Sequence, residues 1–205
     1  MGGWYPGGMP RRPSVDADRA SSPIGASPVP AAGDDAALSL AEAVCLALAD
    51  TGATHGWSIV KELEPGAEIG AVWSLSRQLT YRAVDQLVAK GLIERQGRAP
   101  GRGQGKVILR VTPQGRRLVA RWLATPVAHV RDVRTEGLLK LLLRRRAGLD
   151  NAPFLRLQQA TLEPIFARLA DAGRDPADLP GLLRREQARA VQRFLVAAAG
   201  SAGQG

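Results

Sequence analysis

The sequence contains few of the residues that form disulfides, metal sites and aromatic surfaces. Its 205 residues include one cysteine (Cys45) and two histidines (His55 and His129), and only 4% are aromatic. One cysteine cannot form a disulfide within the chain, and the two histidines lack the spacing of metal ligands. We therefore expect no metal site. Cys45 lies in an apolar pattern that favours a small buried side chain over the alternative, a redox-sensing thiol.

Patterns typical of enzymes and membrane proteins are missing as well. No Gly-x-Ser-x-Gly nucleophile motif occurs, and the glycine-rich residues 101–105 lack the lysine and threonine of a P-loop. An enzyme is therefore disfavoured, and we assign no catalytic residue and no cofactor. The chain shows no apolar run long enough to cross a bilayer and no signal-peptide pattern at its start. We expect a cytoplasmic protein with no membrane partner.

Positive charge is abundant and unevenly distributed. The formal net charge is +9, and residues 71–123 alone carry eleven basic and two acidic side chains. Residues 38–70, in contrast, carry one basic and five acidic side chains. A strongly basic chain favours a polyanionic partner, with nucleic acid before an anionic membrane surface. The apolar fraction of 45% is sufficient for an ordinary globular core.

The chain divides into four predicted regions. Residues 1–37 are rich in Gly, Pro, Ala and Ser without an apolar period, which predicts a disordered tail. Residues 38–123 form a compact unit, residues 124–200 are helical, and residues 201–205 form a flexible end.

The pattern within residues 38–123 predicts a winged helix-turn-helix. Hydrophobic periodicity predicts helices over 38–49, 57–63 and 73–90 and a fourth from Thr112 to about Leu123. Strands are expected over 92–95 and 106–111, with residues 96–105 as the tip of a hairpin. Helix caps are expected at Ser39 with Glu42, at Ser74 or Ser76, and at Thr112 with Pro113 at the first helical position. Gly91 is expected to end the third helix. The expected fold class is mainly α with a small β-hairpin wing and a C-terminal helical region.

The C-terminal region is predicted to contain helices over 136–147, 154–169 and 182–199, with Pro164 as a candidate interruption. The apolar stripes within 138–143 and 182–195 are larger than a few isolated helices can bury on their own, which favours dimerisation. The alternative is that these stripes pack on each other. The run 144–146, three arginines, is predicted to be a solvated helix end that complements the helix dipole.

The third predicted helix has the features of a DNA recognition helix. With Val84 at the centre of the buried face, steps of 100° place Gln78, Leu79, Arg82 and Gln86 away from the core. Glutamine can read adenine, arginine can read guanine, and an apolar side chain can contact a thymine methyl. The candidate DNA-binding residues here are Ser76, Arg77, Gln78, Leu79, Tyr81 and Arg82. The alternative is an ordinary solvated face, with Leu79 packed on a neighbouring element.

The hairpin tip supplies a second set of candidates. Its glycines allow close backbone approach, and its cations are spaced along a segment suited to a phosphate backbone or minor groove. The candidate DNA-binding residues are Arg98, Arg102, Gln104 and Lys106. The alternative is a mobile basic surface loop.

These motifs, taken in order, resemble the PadR family of bacterial transcriptional regulators. The resemblance covers about 38–145, with Trp57 where the family usually has tyrosine. It rests on Leu40-Ala41-Glu42, His55-Gly56-Trp57-Ser58-Ile59, Val72-Trp73-Ser74-Leu75-Ser76-Arg77, the run from Tyr81 to Glu94, Val111-Thr112-Pro113-Gln114-Gly115, Trp122-Leu123 and the run from Arg134 to Leu141.

The resemblance implies a homodimer that binds a two-fold symmetric operator in double-stranded DNA, usually as a repressor. It also implies, for some members, release of DNA by a small aromatic or hydrophobic effector near the dimer interface. Trp57 and Trp73 are candidate pocket residues, and their alternative role is core packing. Two other functions stay open: a nonspecific nucleoid-type DNA-binding protein, and an RNA-binding module, which the lack of an aromatic stacking platform disfavours.

Overall fold

The computed structural model describes residues 38–98, 107–172, 175 and 177–202. The described chain is mainly helical, with one two-stranded antiparallel hairpin between its N-terminal and C-terminal helices. The predicted fold class, a winged helix-turn-helix followed by a helical region, is confirmed. The predicted tail 1–37 and the candidates Arg102, Gln104 and Lys106 lie outside the described residues.

Four helices precede the hairpin: α1 (Leu40–Asp50), α2 (Gly56–Glu62), α3 (Glu68–Val72) and α4 (Arg77–Ala89). The predicted capping box of α1 is present, since the Glu42 amide donates to Ser39 Oγ and the Ser39 amide donates to the Glu42 carboxylate. The predicted start of the third helix at Trp73 is wrong. Trp73 has an extended backbone, and α4 begins after the cap Ser76. The sequence pattern did not predict α3.

The hairpin consists of β1 (Ile93–Arg98) and β2 (Val107–Val111), with Ile93 opposite Val111. Gly91 ends α4 with a φ of 67°, a left-handed conformation that glycine adopts without strain. The turn before α2 joins the hairpin, because the Leu109 amide donates to the Thr54 carbonyl at 2.7 Å. The hairpin is therefore attached to the helix-turn-helix through the middle of β2.

Helix α5 (Pro113–Ala124) follows directly. As predicted, Pro113 is its first residue and Thr112 its cap, with the Gly115 amide donating to Thr112 Oγ1 at 3.1 Å. The Thr112 hydroxyl also donates to the Gly91 carbonyl at 2.9 Å. This one side chain therefore caps α5 and fastens it to the end of α4.

The C-terminal region contains α6 (Val130–Asp132), a π-helical turn (Val133–Gly137), α7 (Leu138–Arg146), α8 (Ala152–Leu169) and α9 (Leu179–Ala202). The helix predicted over 136–147 thus continues a helical path that begins at Val130. Pro164 lies inside α8 without ending it.

Two clusters of buried apolar side chains hold the described chain together. The first core joins α1–α5 and the hairpin and includes Val44, Leu46 and Leu87. The second core joins the π-helical turn with α7, α8 and α9 and includes Phe154 and Leu162. Helix α7 contributes to both, with Leu139 and Leu143 in the first core and Leu141 in the second.

Candidate nucleic-acid interface

Helix α4 buries one face and exposes the other as the sequence predicts. Thr80, Ala83, Val84 and Leu87 are buried against the first core. The candidates Ser76, Arg77, Gln78, Leu79 and Arg82 are all exposed, and Leu79 retains 48% of its accessible surface. The orientation derived from Val84 is therefore confirmed, whereas contact of these side chains with DNA stays a prediction.

The start of α4 is firmly defined by its cap. Ser76 Oγ accepts a hydrogen bond from the Leu79 amide at 3.3 Å, and Thr80 Oγ1 donates to the Ser76 carbonyl at 3.0 Å. The Ser76 hydroxyl thus has a structural partner within the chain. A helix N-terminus carries partial positive charge and free amide groups, which favour an approaching phosphate.

Tyr81 joins α4 to α2. It is half-buried, and a Cβ added to Gly56 would lie 2.7 Å from Tyr81 Cε1, so the ring occupies the space that a larger residue at 56 would need. The Arg77 guanidinium lies 5.6 Å from the centre of the same ring, within the range of a cation–π contact. Tyr81 therefore positions both the start of α2 and the Arg77 side chain. Its contact with DNA stays a prediction.

Asp85 introduces an acidic group on the exposed part of α4, and the hairpin neutralises it. Its carboxylate forms an ion pair with Arg95 of β1, and both side chains are largely exposed. An exposed pair of this kind contributes little stability. It nevertheless links α4 to the wing and removes one negative charge from the surface that faces outward beside Arg82.

His55 contacts the first residue of β2, at the loop end of the strand pair. Its Nδ1 lies 3.1 Å from the Val107 carbonyl of β2, and Ser58 Oγ donates to the His55 carbonyl at 2.7 Å. His55 therefore joins the start of α2 to the hairpin. Arg98 is the last residue of β1, and the loop candidates that follow it lie outside the described chain.

The two tryptophans of the candidate effector pocket have different surroundings. Trp57, in the first turn of α2, retains 51% exposure, and the Lys61 ammonium lies 5.4 Å from its ring centre. Trp73 is partly buried against the first core. Trp57 is thus not a core residue, and the role of either ring in binding an effector stays a prediction.

Other chemistry is not supported at this surface. Cys45 is fully buried, and burial, with the nearby Glu42 charge, raises the pKa of its thiol to about 12, which favours the packing interpretation. Among the described residues, no group of three His, Cys, Asp or Glu side chains is placed to hold a metal ion. Within the same residues, no helix is long and apolar enough to cross a bilayer.

The three arginines form the basic last turn of α7, and Arg145 and Arg146 are exposed, as expected of a solvated helix end. The sequence did not predict that they are also paired. Arg146 forms a two-fold hydrogen-bonded pair with Glu62 of α2, and Arg145 pairs with Glu68 of α3. Arg144 donates to groups at the start of α8 and to the Leu123 carbonyl of α5. The one sequence feature that could have indicated these ion pairs is the opposite charge of the arginines and the acidic segment 38–70.

One family model matches part of this chain. Residues 45–121 match the family model described as "Transcriptional regulator PadR-like family", so the resemblance inferred from the sequence is confirmed over these residues. Among solved structures, this chain is similar to PadR of Bacillus subtilis in complex with operator DNA. The identity is 17% over 78% of this chain and 98% of that chain, with a TM-score of 0.39. No curated protein matches significantly.

Proposed function

We propose that this chain, whose residues 45–121 match the PadR-like family of transcriptional regulators, binds a specific sequence in double-stranded DNA and regulates transcription from it. The observation that carries the proposal is the exposed polar row on α4, which begins at a capped helix start beside an attached hairpin. A regulator of this kind acts in the cytoplasm, where its DNA is. It requires no catalysis.

Recognition is assigned to the first two turns of α4. In a helix-turn-helix, the N-terminal part of the recognition helix enters the major groove and contacts base edges. Gln78 has the chemistry for adenine, Arg82 for guanine, and Leu79 for the methyl group of thymine. Arg77, held over the Tyr81 ring, is directed to a base or a phosphate next to the helix start.

The wing is assigned to the DNA backbone. The Thr54–Leu109 and His55–Val107 contacts join the hairpin to the turn before α2. Next to these contacts, the sequence supplies Arg98, Arg102 and Lys106 within a glycine-rich segment that also contains Gln104. Cations on such a segment neutralise phosphates without reading sequence.

Dimerisation through the C-terminal helices supports a two-fold symmetric operator. Helix α9 packs on α8 through Ala188 and Leu195 but leaves large apolar side chains exposed. Those on α9 are Leu179, Leu182, Leu183, Phe194 and Val196. A second copy packed on this helix gives a dimer with a two-fold axis, and such a dimer places two α4 helices on symmetric half-sites. We assign residues 38–123 to DNA binding and 124–200 to dimerisation.

We propose repression as the mode of regulation and a small aromatic or hydrophobic molecule as the effector. Both follow from the family resemblance. Exposed Trp57 offers an aromatic face that a ligand of this class would contact, and Trp73 lies at the end of the following short helix. Neither residue identifies the molecule.

A selection of bound duplexes tests the proposal. The full chain is incubated at physiological salt with a random duplex library and excess competitor DNA, and the bound fraction is sequenced over several rounds. We expect one palindromic motif, and a dimer by sedimentation at the same concentration. Recovery of unrelated sequences with a steep dependence on salt would favour the nonspecific nucleoid-type protein instead.

A further inference from the structure

Helix α7 is a structural part of both halves of the molecule. Leu139 and Leu143 have no accessible surface and lie in the first core, although they follow α5 by more than a dozen residues. Leu141, between them, is buried in the second core with Phe154 and Leu155. Because these leucines enter different cores, a rotation of α7 about its axis would expose at least one of the three side chains.

A buried polar network fixes the joint between α5 and α7. Lys140 Nζ lies 2.8 Å from Glu136 Oε1 and donates to the Thr125 carbonyl at 2.7 Å. The same ammonium lies 5.0 Å from the centre of the Trp122 ring, and Trp122 Nε1 donates to Glu136 Oε1 at 3.0 Å. A network whose members are all satisfied in this way has one preferred geometry.

Two ion pairs attach the end of α7 to the helices that precede α4. Arg146 Nη1 and Nη2 each lie 2.7 Å from a Glu62 oxygen, a parallel two-fold arrangement that constrains direction as well as distance. Arg145 pairs with Glu68 of α3. The Glu62–Arg146 pair is about one-third exposed, whereas the Glu68–Arg145 pair is largely exposed, so the first is the stronger constraint.

The third arginine attaches the same helix end to α8. The Arg144 guanidinium donates to Asn151 Oδ1 at 3.2 Å and to the Asp150 carbonyl at 2.6 Å. It also lies 4.9 Å from the centre of the Phe154 ring. Arg144 Nη1 also donates to the Leu123 carbonyl of α5 at 3.3 Å, so this arginine joins α5 to the start of α8. Arg145 and Arg146 contact the helices that precede α4.

We infer that Glu62 and Arg146, assisted by Glu68 and Arg145, are positioning residues that fix the angle between the recognition helix and the C-terminal helices. This inference rests on the proposed function. In a dimer assembled through the C-terminal helices, that angle determines the separation of the two α4 helices. The separation in turn determines which spacing of half-sites in an operator is bound, because half-site spacing follows from dimer geometry.

The test measures spacing preference rather than affinity alone. Duplexes that carry the selected half-sites with spacers from several base pairs shorter to several longer are bound competitively by the wild-type chain. The same library is bound by Arg146→Glu, by the double variant Glu62→Arg with Arg146→Glu, and by the control Arg168→Glu, an exposed position of α8. Far-ultraviolet circular dichroism establishes that each variant is folded.

We expect the wild type and Arg168→Glu to share one sharply preferred spacing. Arg146→Glu places two carboxylates opposite each other and should reduce that preference over neighbouring spacings by about tenfold, or about 1.4 kcal/mol. The double variant should restore most of it. An unchanged spacing profile in folded Arg146→Glu would overturn the inference. So would a broadened profile that the double variant leaves equally broad.

A distance measurement keeps the inference testable if Arg146→Glu no longer binds DNA. Gln78→Cys adds an exposed thiol for a spin label, while Cys45 is buried and unreactive. Dipolar spectroscopy of the DNA-free dimer should give a narrow distance distribution that Arg146→Glu broadens. An equally narrow distribution in both would overturn the inference. A chain that selects no motif and gives no dipolar signal would instead contradict the proposed function.

Discussion

Arginines of helix α4 and arginines of helix α7 differ in what they contact. Arg82 on α4 is exposed and forms no ion pair with any residue in the described part of the chain. Each arginine of the α7 run contacts defined groups. Arg146 contacts Glu62, Arg145 contacts Glu68, and Arg144 contacts Asn151 and the carbonyls of Asp150 and Leu123. The difference indicates that a run of basic residues does not by itself mark a DNA-binding surface. The side chains available to a partner are those that the fold leaves without an ion-pair partner.

The largest expected effect is on stability and concerns the buried ion pair between Glu136 and Lys140. Glu136→Ala removes the carboxylate that accompanies buried Lys140 and leaves that ammonium, 2% exposed, without its ion-pair partner. We expect a loss of about 3–5 kcal/mol in the free energy of unfolding, the usual cost of breaking a buried pair. Urea unfolding followed by circular dichroism measures it. Lys140→Met, which removes the buried charge itself, should cost less, and equal or greater loss in Lys140→Met would contradict this description.

A substitution of Arg82 on α4 should weaken DNA binding and leave the free energy of unfolding unchanged. Arg82→Ala should weaken binding to the selected operator by about 1–3 kcal/mol, the range for one base-reading side chain. Its midpoint of urea unfolding should match that of the wild type. Fluorescence anisotropy with a labelled duplex gives the affinity, and Arg168→Ala is the matched control. Unchanged operator affinity in Arg82→Ala would argue against the assigned docking of α4.

The wing should contribute affinity without specificity. Replacing Arg98 and Arg102 together with alanine should weaken binding to specific and scrambled duplexes alike. It should also lower the slope of log affinity against log salt by about 1 for each lost phosphate contact. Titrations at several salt concentrations measure both quantities. A slope equal to that of the wild type would remove the assigned role of these two residues.

Acid sensitivity should arise from the paired carboxylates. Burial opposes ionisation of Glu42, but Lys90 at 2.5 Å and the hydrogen bonds from Ser39 outweigh it and hold the pKa below its ordinary value of 4.5. The hydrogen bonds from Arg146 lower the pKa of Glu62 in the same direction. A carboxyl whose pKa is lower in the folded state stabilises the fold above the unfolded pKa, and that stability is lost as pH falls through the folded pKa.

Thermal unfolding between pH 7 and pH 3 tests that dependence. The melting temperature of the wild type should fall as pH drops below the ordinary glutamate range, and Glu42→Gln should show a shallower fall. Glu163→Gln, an exposed position on α8, serves as the control. Parallel curves for the wild type and Glu42→Gln would show that this carboxyl does not carry the acid sensitivity.

Features encoded by neighbouring residues were predictable from the sequence. The capping box of Ser39 and Glu42, the Thr112–Pro113 start of α5 and the exposed row on α4 all depend on spacings of a few residues. Local hydrogen bonds and the helical period determine such features directly. The order of elements then leaves few alternatives to a winged helix-turn-helix.

Features that depend on distant contacts were not predictable. Arg146 pairs with a residue 84 positions earlier in the chain, and Arg145 with one 77 positions earlier. Nothing in the local pattern distinguishes such arginines from a solvated helix end. The short α3 has five residues and no side-chain cap, so neither periodicity nor capping indicates it. The Tyr81 ring against Gly56 likewise requires the packing of α2 on α4.

The central claim, that α4 reads bases, is tested most directly by a change of specificity. The duplex selection is repeated with Arg82→Gln, which replaces a guanine-reading group with an adenine-reading one. We expect a palindromic motif that differs from the wild-type motif at one symmetric base pair in each half-site and is otherwise retained. Selection of the unchanged motif by Arg82→Gln would contradict the claim that Arg82 of α4 reads a base.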